Sequence, residues 1–189
     1  MTDSNKEVIM IIAKLVIISI VASALLGITY VPTQKQVKIN YELARQDALK
    51  EIMPLAVNFE AVEGGIINDE GDREIYYYRA FDASGNPVGY AFFRKQVGAQ
   101  GMIEVAGGVD AKFETLTGMT VMSHSETPGL GAMIVTPDFK NKFVNIAIAD
   151  LSLSSAGGKI DSITSATISS QAVVDALNAK IEEVKDAEG

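Results

Sequence analysis

The chain begins with an apolar run that is long enough to cross a membrane. From Val8 to Val31 nearly every residue is hydrophobic, and Lys14 carries the only charge in the run. At about 1.5 Å per residue, a helix of this length reaches roughly 36 Å and exceeds a hydrocarbon core of about 30 Å. Lys14 can extend to one interface and Tyr30 lies near the other. The pattern predicts an uncleaved membrane-spanning helix.

A cleaved signal peptide is the competing interpretation of this run. Ala22–Ala24 has the small-x-small form of a cleavage site. The apolar residues continue past it through Leu25–Ile28, which favours the span.

The charges beside the span leave its orientation open. Two lysines precede or open the span and two follow it, so the positive-inside rule gives nearly a tie. These lysines are Lys6, Lys14, Lys35 and Lys38.

After the span, a helical pattern is followed by two strand patterns. Lys35–Met53 contains few helix breakers, and Pro54 marks the end of the predicted helix. Glu74–Phe81 and Val88–Phe93 are rich in aromatic and other strand-forming residues. Turn residues at Ala83–Pro87 separate the two segments, which therefore predict a β-hairpin.

The remaining segments predict two more strands and two helices. Met102–Val105 and Leu116–Met122 are candidate strands, and Asp138–Val144 is a candidate short helix. The apolar residues of Ile168–Val184 share one helical face and predict a closing amphipathic helix. The predicted fold class is α+β, with a transmembrane helix followed by one mixed α/β domain.

The predicted organisation has three parts, and charge is distributed unevenly among them. Residues 1–34 form the transmembrane anchor, residues 35–58 a membrane-proximal helix or linker, and residues 59–189 the domain. The net charge is −8, and all of it falls on residues 32–189, because the charges before them cancel. This acidity disfavours nucleic-acid binding, which needs a basic face.

Composition excludes several kinds of site chemistry. The chain has no cysteine, which removes iron–sulfur clusters, thiol catalysis and disulfides. His124 is the single histidine, so a zinc site or an ordinary Ser-His-Asp triad is difficult to build. No metal ligand set is predicted.

The first candidate site segment is His124–Gly131, which reads HSETPGLG and follows a predicted strand. Its proline and two glycines form a tight loop in which the backbone can approach a ligand closely. An ordinary strand-to-helix turn explains the same composition, and local physics alone favours that interpretation.

The second candidate segment is Asp161–Ser170, which reads DSITSATISS and opens the predicted C-terminal helix. Its nine residues from position 162 carry six hydroxyls. Helix capping would use one or two of them. A helix N-terminus with hydroxyls and available N–H groups is also a good phosphate site. A Walker loop would need a Gly-Lys pair, which is lacking.

Two other polar clusters have simple structural interpretations. Tyr76, Tyr77 and Tyr78 fit alternating strand positions, with Tyr77 facing opposite to its neighbours. The acidic C-terminus is interpreted as a solvated helix end, and its residues are Glu182, Glu183, Asp186 and Glu188.

The two site segments together resemble the signatures of a known family. Asp161–Ser170 resembles the pattern D-x-[IL]-[ST]-G-A-T-x-[ST]-S of the membrane-associated FMN-binding domain, and His124–Gly131 is similar to that family's second signature, H-x-E-T-P-G-L-G. The family includes RnfG of the Rnf electron-transport complex and NqrC of the sodium-translocating NADH:quinone oxidoreductase. Both motifs occur in the family's order, after an N-terminal anchor, and the resemblance covers essentially the whole chain.

The resemblance implies a covalent FMN. The family's last motif threonine carries FMN through a phosphoester bond, and Thr167 stands at that position. A flavin transferase moves FMN from FAD to the hydroxyl and releases AMP. Ser165 replaces the usual family glycine, so a positive φ there would place serine under strain. Asp161 is expected to order the loop or to help the transferase recognise it.

The resemblance also implies the other cofactor-binding residues. Thr164, Ser165 and Ala166 are expected to contact the phosphate. The expected flavin-lining residues come from the first segment and are Glu126, Thr127, Gly129 and Leu130.

The function that the resemblance implies is that of an electron-carrier subunit with no catalytic acid or base. The small size favours an RnfG-like subunit of a complex that couples ferredoxin:NAD electron transfer to Na⁺ or H⁺ movement. The implied partners are other subunits and a flavin transferase. The domain is expected on the outer face of the cytoplasmic (inner) membrane, with the N-terminus in the cytosol.

Other classes of function remain open beside this interpretation. An NqrC-like subunit, a stand-alone membrane flavoprotein and a non-redox anchored assembly subunit are the alternatives within membrane proteins. A hydrolase would use Ser125 or Thr167 as nucleophile, but the chain lacks a G-x-S-x-G elbow.

Overall fold

The structure is a computed structural model that describes residues 3–67 and 73–189. The first two residues of the predicted anchor lie outside the described residues. The chain divides into two compact units, Met1–Ala44 and Arg45–Gly189. The predicted boundaries at 34/35 and 58/59 stay predictions.

Helix α1 covers Asp3–Ile52 as one continuous element. It contains the predicted span and, as far as Ile52, the predicted helix at Lys35–Met53, so the helical structure of both segments is confirmed. By length and composition, the stretch Lys6–Ile52 includes a segment apolar enough to cross a membrane, with a mean hydropathy of 2.7. The apolar side chains that the structure describes in the first unit are exposed all round the helix, which is the surface that a lipid-facing helix needs.

Within the described residues, the strands form one antiparallel sheet in the order β1-β2-β3-β4-β5-β6. Strands that are consecutive in sequence are neighbours in the sheet, so the topology is a meander. The strands are β1 (Asn58–Ile67), β2 (Arg73–Phe81), β3 (Pro87–Val97), β4 (Met102–Asp110), β5 (Thr115–Ser123) and β6 (Ile146–Ala147).

The predicted strands are confirmed, and the sheet has two more. The predicted hairpin is β2 and β3, in which Tyr78 pairs with Ala91. The two other predicted strands lie within β4 and β5. Strand β1 was not predicted because its sequence, NFEAVEGGII, includes two adjacent glycines and three charged or amide side chains. Strand β6 is only two residues long and exists through its pairing with β5.

Two further helices lie in the regions where helices were predicted. Helix α2 covers Pro137–Lys140 and continues into a 3-10 turn at Asn141–Phe143, where a short helix was expected. Helix α3 covers Thr167–Glu188. An antiparallel sheet with separate helices confirms the α+β class.

The two faces of the sheet bury separate apolar clusters. Helix α3 packs on one face against β3 and β4, with Leu177 and Ile181 in that cluster. The last turns of α1 cover the other face, where Ile52 and Met53 are buried. The Thr117 hydroxyl donates a 2.6 Å hydrogen bond to the Ile52 carbonyl and fixes this helix end on β5.

The tyrosines of β2 do not alternate as expected. Tyr77 and Tyr76 both pack toward the α3 face, whereas Tyr78 belongs to the opposite cluster. The expectation that Tyr77 faces opposite to both neighbours is therefore wrong at Tyr76. The cause is a register shift: Val62 pairs with Tyr77 and Glu63 pairs with Ile75, and the extra residue between them forms a bulge.

The acidic end of α3 is not solvated throughout, which corrects the sequence interpretation. Glu188 accepts hydrogen bonds from the Tyr77 hydroxyl, from the Arg79 guanidinium at 2.8–2.9 Å and from the Tyr90 hydroxyl at 3.2 Å. Glu183 accepts one from Lys180 at 2.9 Å. The Glu188 contacts hold the C-terminal turn of α3 on strands β2 and β3, and sequence alone gives no sign of such long-range partners.

Candidate flavin site

The two segments singled out in the sequence meet at the start of α3. One is the loop His124–Gly131, which leaves the end of β5, and the other is the stretch Asp161–Ser170, which leads into α3. The Ser169 hydroxyl donates a 2.6 Å hydrogen bond to Glu126 Oε2 and joins them across 43 positions of sequence. The fold therefore builds one site from both segments.

The first loop is a tight turn with exposed residues at its tip. The N–H groups of Leu130 and Ala132 both donate to the Thr127 carbonyl, at 3.2 and 3.1 Å. Gly129 adopts a φ of 74°, which only glycine reaches without strain. Thr127, Gly129 and Leu130, three of the predicted flavin-lining residues, are all exposed.

The second segment presents its predicted site hydroxyls to solvent. Thr164, Ser165 and Thr167 are exposed, whereas Ala166 is buried. Ala166 occupies the N-cap position of α3 and makes no side-chain capping bond. The capping interpretation of these hydroxyls is therefore wrong at the N-cap. The first N–H groups of a helix have no intrahelical acceptor, so this terminus suits a phosphate.

Ser165 occupies the left-handed region of the backbone, with a φ of 64°. The glycine of the family pattern indicated that a positive φ could occur at this position. A serine there costs roughly 1–2 kcal/mol relative to right-handed backbone. The loop keeps this conformation because its neighbours are fixed: Ala166 N–H donates to the Ile163 carbonyl at 2.9 Å.

The two buried serines of the segment have structural roles. Ser170 accepts a 3.0 Å hydrogen bond from the Ile163 N–H and donates to the Ala166 carbonyl at 3.0 Å. Ser169 donates to Glu126. The surplus of hydroxyls thus includes two buried ones that hold the loop and three exposed ones at the predicted attachment site.

Asp161 and His124 both take part in hydrogen bonds within the chain. The Asp161 carboxylate accepts a hydrogen bond from Ser154, and its carbonyl accepts one from the Lys142 ammonium at 2.8 Å. His124 Nδ1 accepts the Glu126 N–H at 3.2 Å within the turn. This use of the imidazole gives no support to a hydrolase triad.

Glu126 is placed differently from the other predicted flavin-lining residues. Its side chain is only 5% exposed, and its second carboxylate oxygen accepts the Gln100 N–H at 3.1 Å. Burial alone would raise the pKa of Glu126, but the hydrogen bonds from Ser169 and from the Gln100 and Ala99 N–H groups hold that pKa below its usual value.

Sequence reasoning missed the turn between β3 and β4, which supplies the Gln100 N–H. The turn carries Gly98 and Gly101, and an added Cβ at Gly101 would lie 3.1 Å from the Ser125 Cβ. Its Gly-Ala-Gln-Gly composition was a signal of close backbone approach.

The residues present fit an FMN group by the chemistry they offer. Thr167 supplies an exposed hydroxyl at the first turn of a 22-residue helix, where helix N–H groups favour an anion. Leu130 and Ile168 supply exposed apolar surface, with Ile168 66% exposed. An anionic phosphate and a planar apolar ring need these two kinds of surface.

Comparison with known proteins agrees with this geometry. The sequence profile of the FMN-binding domain matches residues 98–182, which include both site segments. The G subunit of the ion-translocating oxidoreductase complex from Methanosarcina acetivorans is 51% identical over the full length of both chains. The G subunit of the Na⁺-translocating ferredoxin:NAD⁺ oxidoreductase complex from Acetobacterium woodii is 28% identical, and the match covers 89% of this chain and 87% of that one.

A solved structure shares the fold at lower similarity. The C subunit of the Na⁺-translocating NADH-quinone reductase from Parabacteroides distasonis superposes with a TM-score of 0.54 at 20% identity. The match covers 80% of this chain and 96% of that chain.

The fold and the site define an FMN-binding-domain protein with an N-terminal helix able to cross a membrane. Within that class, the chain belongs to the family formed by the G subunits of ion-translocating oxidoreductase complexes. The resemblance inferred from the two sequence motifs is confirmed at this level.

Proposed function

We propose that the chain is a membrane-anchored electron-carrier subunit that holds FMN covalently at Thr167, in an Rnf-type complex. The complex would couple electron transfer between ferredoxin and NAD to the movement of Na⁺ or H⁺. The observation that carries the proposal is the exposed Thr167 hydroxyl at the uncapped start of α3, beside the Glu126 loop.

Attachment is a group transfer in which the chain supplies the nucleophile. The Thr167 oxygen attacks the FMN-side phosphorus of FAD, and a threonine–phosphorus ester bond forms as the pyrophosphate bond breaks. AMP leaves with the bridging oxygen, and the threonine proton passes to a base of the flavin transferase or to water. A hydroxyl that is exposed on a helix surface is accessible to such an enzyme.

The residues around Thr167 then hold the phosphate. The first N–H groups of α3 and the exposed hydroxyls of Thr164 and Ser165 can donate to its oxygens. The positive end of the helix dipole favours the negative charge. Ala166 contributes backbone, since its side chain is buried.

The first loop is proposed to line the flavin ring. Thr127 offers a hydroxyl, Gly129 allows close approach of backbone, and Leu130 offers apolar surface. The flavin, when bound, supplies the capacity to take up and release electrons, while the chain binds and orients it. No acid or base of the chain is required, so the protein acts as a carrier subunit within a larger enzyme.

A membrane anchor and a covalent cofactor are both consistent with a domain on the outer face of the cytoplasmic membrane. The candidate span supports an anchor in the cytoplasmic membrane, and we place the second unit on the outer face. There, a lost FMN could not readily be replaced from the cytosol, so a covalent bond is useful. The partners are other subunits of the complex and, during maturation, the flavin transferase. The two G-subunit relatives favour this assignment over an NqrC-like one.

The test is to express the full chain with a flavin transferase and to view a denaturing gel under ultraviolet light. Thr167→Val is compared with Ser155→Ala, which removes an exposed hydroxyl that lies outside both site segments. We expect fluorescent bands for the wild type and Ser155→Ala and a dark band for Thr167→Val. A dark wild-type band, or a fluorescent Thr167→Val band, would contradict the proposal.

A further inference from the structure

The Glu126 carboxylate lies where three separate segments meet. We propose that Glu126 is a positioning residue that, through Ser169, orients Thr167 for flavin attachment and does not itself contact the flavin. This inference rests on the proposed attachment at Thr167. It assigns Glu126 a role different from the flavin-lining one that the sequence resemblance implies.

Both oxygens of this carboxylate are occupied by donors of the chain. Oε2 accepts the Ser169 hydroxyl at 2.6 Å, and Oε1 accepts the Gln100 N–H at 3.1 Å. The carboxylate thus joins the β3–β4 turn to the first turn of α3, while its own backbone belongs to the loop after β5. Glu126 is only 5% exposed, so the protein around it leaves little of the carboxylate accessible to a ligand.

The surrounding backbone is shaped to admit this carboxylate. An added Cβ at Gly98 would lie 2.4 Å from Oε1, and one at Gly131 would lie 2.5 Å from Oε2 and 2.6 Å from the Ser169 hydroxyl. Such distances are too short for real Cβ atoms, so a side chain at either position would displace the carboxylate from where it lies. One glycine lies beside each carboxylate oxygen, so the backbone leaves room for the carboxylate at this position.

The geometry of a helix links the orientation of Ser169 to that of Thr167. Successive residues of an α-helix are rotated by about 100°, so residues two apart point about 200° away from each other. When Glu126 holds Ser169 toward the protein interior, Thr167 is therefore directed outward. This matches the burial of Ser169 and the exposure of Thr167. Because Ala166 provides no side-chain cap, the Glu126 bond is one of the contacts that fix the first turn.

Ser170 provides a second, independent support for the same loop. Its hydrogen bonds to Ile163 and Ala166 do not involve Glu126. Loss of the Glu126–Ser169 bond should therefore loosen the orientation of the first turn without unfolding α3.

The experiment measures the rate at which FMN is added to Thr167, with purified full-length protein in detergent, FAD and a flavin transferase. Intact mass is followed with time, and the melting temperature of the flavin-free protein is recorded for each variant. Glu126→Ala and Ser169→Ala remove the contact from either side. Glu188→Ala is the matched control, because it removes a hydrogen-bonded carboxylate at the opposite end of α3.

We expect Glu126→Ala and Ser169→Ala each to slow attachment by about tenfold or more, since small misplacements of a reacting group have effects of this size. Their double variant should be no slower than the Glu126→Ala single variant, because one contact is removed in all three. Glu126→Gln should react within about threefold of the wild type, since its amide can accept from Gln100 and donate to Ser169. Glu188→Ala should lower the melting temperature and leave the rate unchanged.

Three results would overturn the inference. The first is a wild-type rate in Ser169→Ala, and the second is an equal slowing by Glu126→Ala and Glu188→Ala when their melting temperatures fall equally. The third is a Glu126→Gln rate as low as that of Glu126→Ala, which would indicate a need for the charge itself. Failure of the wild type to gain FMN would instead refute the proposed function on which the inference rests.

Discussion

Ser165 holds a backbone conformation that serine rarely adopts, close to the attachment threonine. Its φ of 64° lies in the left-handed region, where a side chain costs about 1–2 kcal/mol. Glycine removes that cost. Glycine also has greater freedom in the unfolded chain, and this destabilises the folded state by about 0.5–1 kcal/mol, which cancels part of the gain. We expect Ser165→Gly to stabilise the protein by up to about 1 kcal/mol, or about 2–4 °C in melting temperature for a unit of this size.

Ser165→Ala is the control for this substitution, since alanine removes the hydroxyl and keeps the strain. It should melt at or below the wild-type temperature. Equal melting temperatures for the glycine and alanine variants would contradict the strain argument.

Glu126 makes stability depend on pH in a defined direction. Burial raises the pKa of its carboxyl, but the hydrogen bonds to the ionised form outweigh burial and hold that pKa below the usual 4.5. The folded state therefore binds fewer protons than the unfolded state, so ionisation stabilises the fold above pH 4.5. This contribution is lost as the pH falls through the lower folded pKa.

We expect the melting temperature of Glu126→Gln to lie below that of the wild type at pH 7. The gap should narrow as the pH is lowered below 4.5, because the wild-type carboxyl becomes neutral as well. Melting curves at several pH values measure this difference between the two melting temperatures. A difference that grows in acid would show that folding raises the pKa of Glu126 and does not lower it.

These two residues also show what sequence reasoning can reach. The positive φ at Ser165 was foreseeable because the family pattern has glycine at that position. The burial of Glu126 was not, because its partners Gln100 and Ser169 lie 26 and 43 positions away. Tertiary packing brings these distant segments together, and the local sequence does not encode it.

Among the secondary-structure elements, α3 comes into close contact with the sheet at Gly107 of β4. An added Cβ at Gly107 would lie 2.5 Å from the Leu177 Cδ2 atom and 2.8 Å from the Phe92 ring. Overpacking of a well-filled core costs about 1–3 kcal/mol. We expect Gly107→Ala to destabilise the protein by that amount in chemical denaturation.

Gly65→Ala is the control, because a Cβ at Gly65 has nothing within 4 Å. A surface change of this kind should stay within about 0.5 kcal/mol of the wild type. If both variants were equally stable, the close packing of α3 on β4 would be disproved.

Elements with strong local patterns were predicted well, and elements that depend on partners were not. Helix α3 and the β2–β3 hairpin follow from amphipathic spacing and turn residues. Strand β6 exists because Ile146 pairs with Leu116, and the acidic end of α3 is ordered because Glu188 reaches Arg79. No pattern in the local sequence predicts either contact.

In the molecule as a whole, the end of α1 belongs to the core of the second unit. Leu49, Ile52 and Met53 are at most 6% exposed and pack against residues of the sheet. Burial of each such side chain contributes about 1.5–3 kcal/mol. The loss of all of them is comparable with the total stability of an ordinary domain, about 5–15 kcal/mol.

We therefore expect a chain that starts at Arg45 to fold as a soluble protein and one that starts at Phe59 to aggregate. Size-exclusion chromatography and circular dichroism of the two truncated chains measure this. A folded, monomeric chain from Phe59 would support the boundary predicted from sequence at 58/59 and contradict the core role of α1.

The covalent attachment of FMN to Thr167 can be decided by peptide mass. The full chain is expressed with a flavin transferase and digested with trypsin, which cleaves after Lys159 and Lys180 and releases the peptide Ile160–Lys180. We expect this peptide to gain the mass of one FMN less one water, with the added group located on Thr167 by fragmentation. An unmodified peptide, or a flavin located on any other residue, would contradict the attachment.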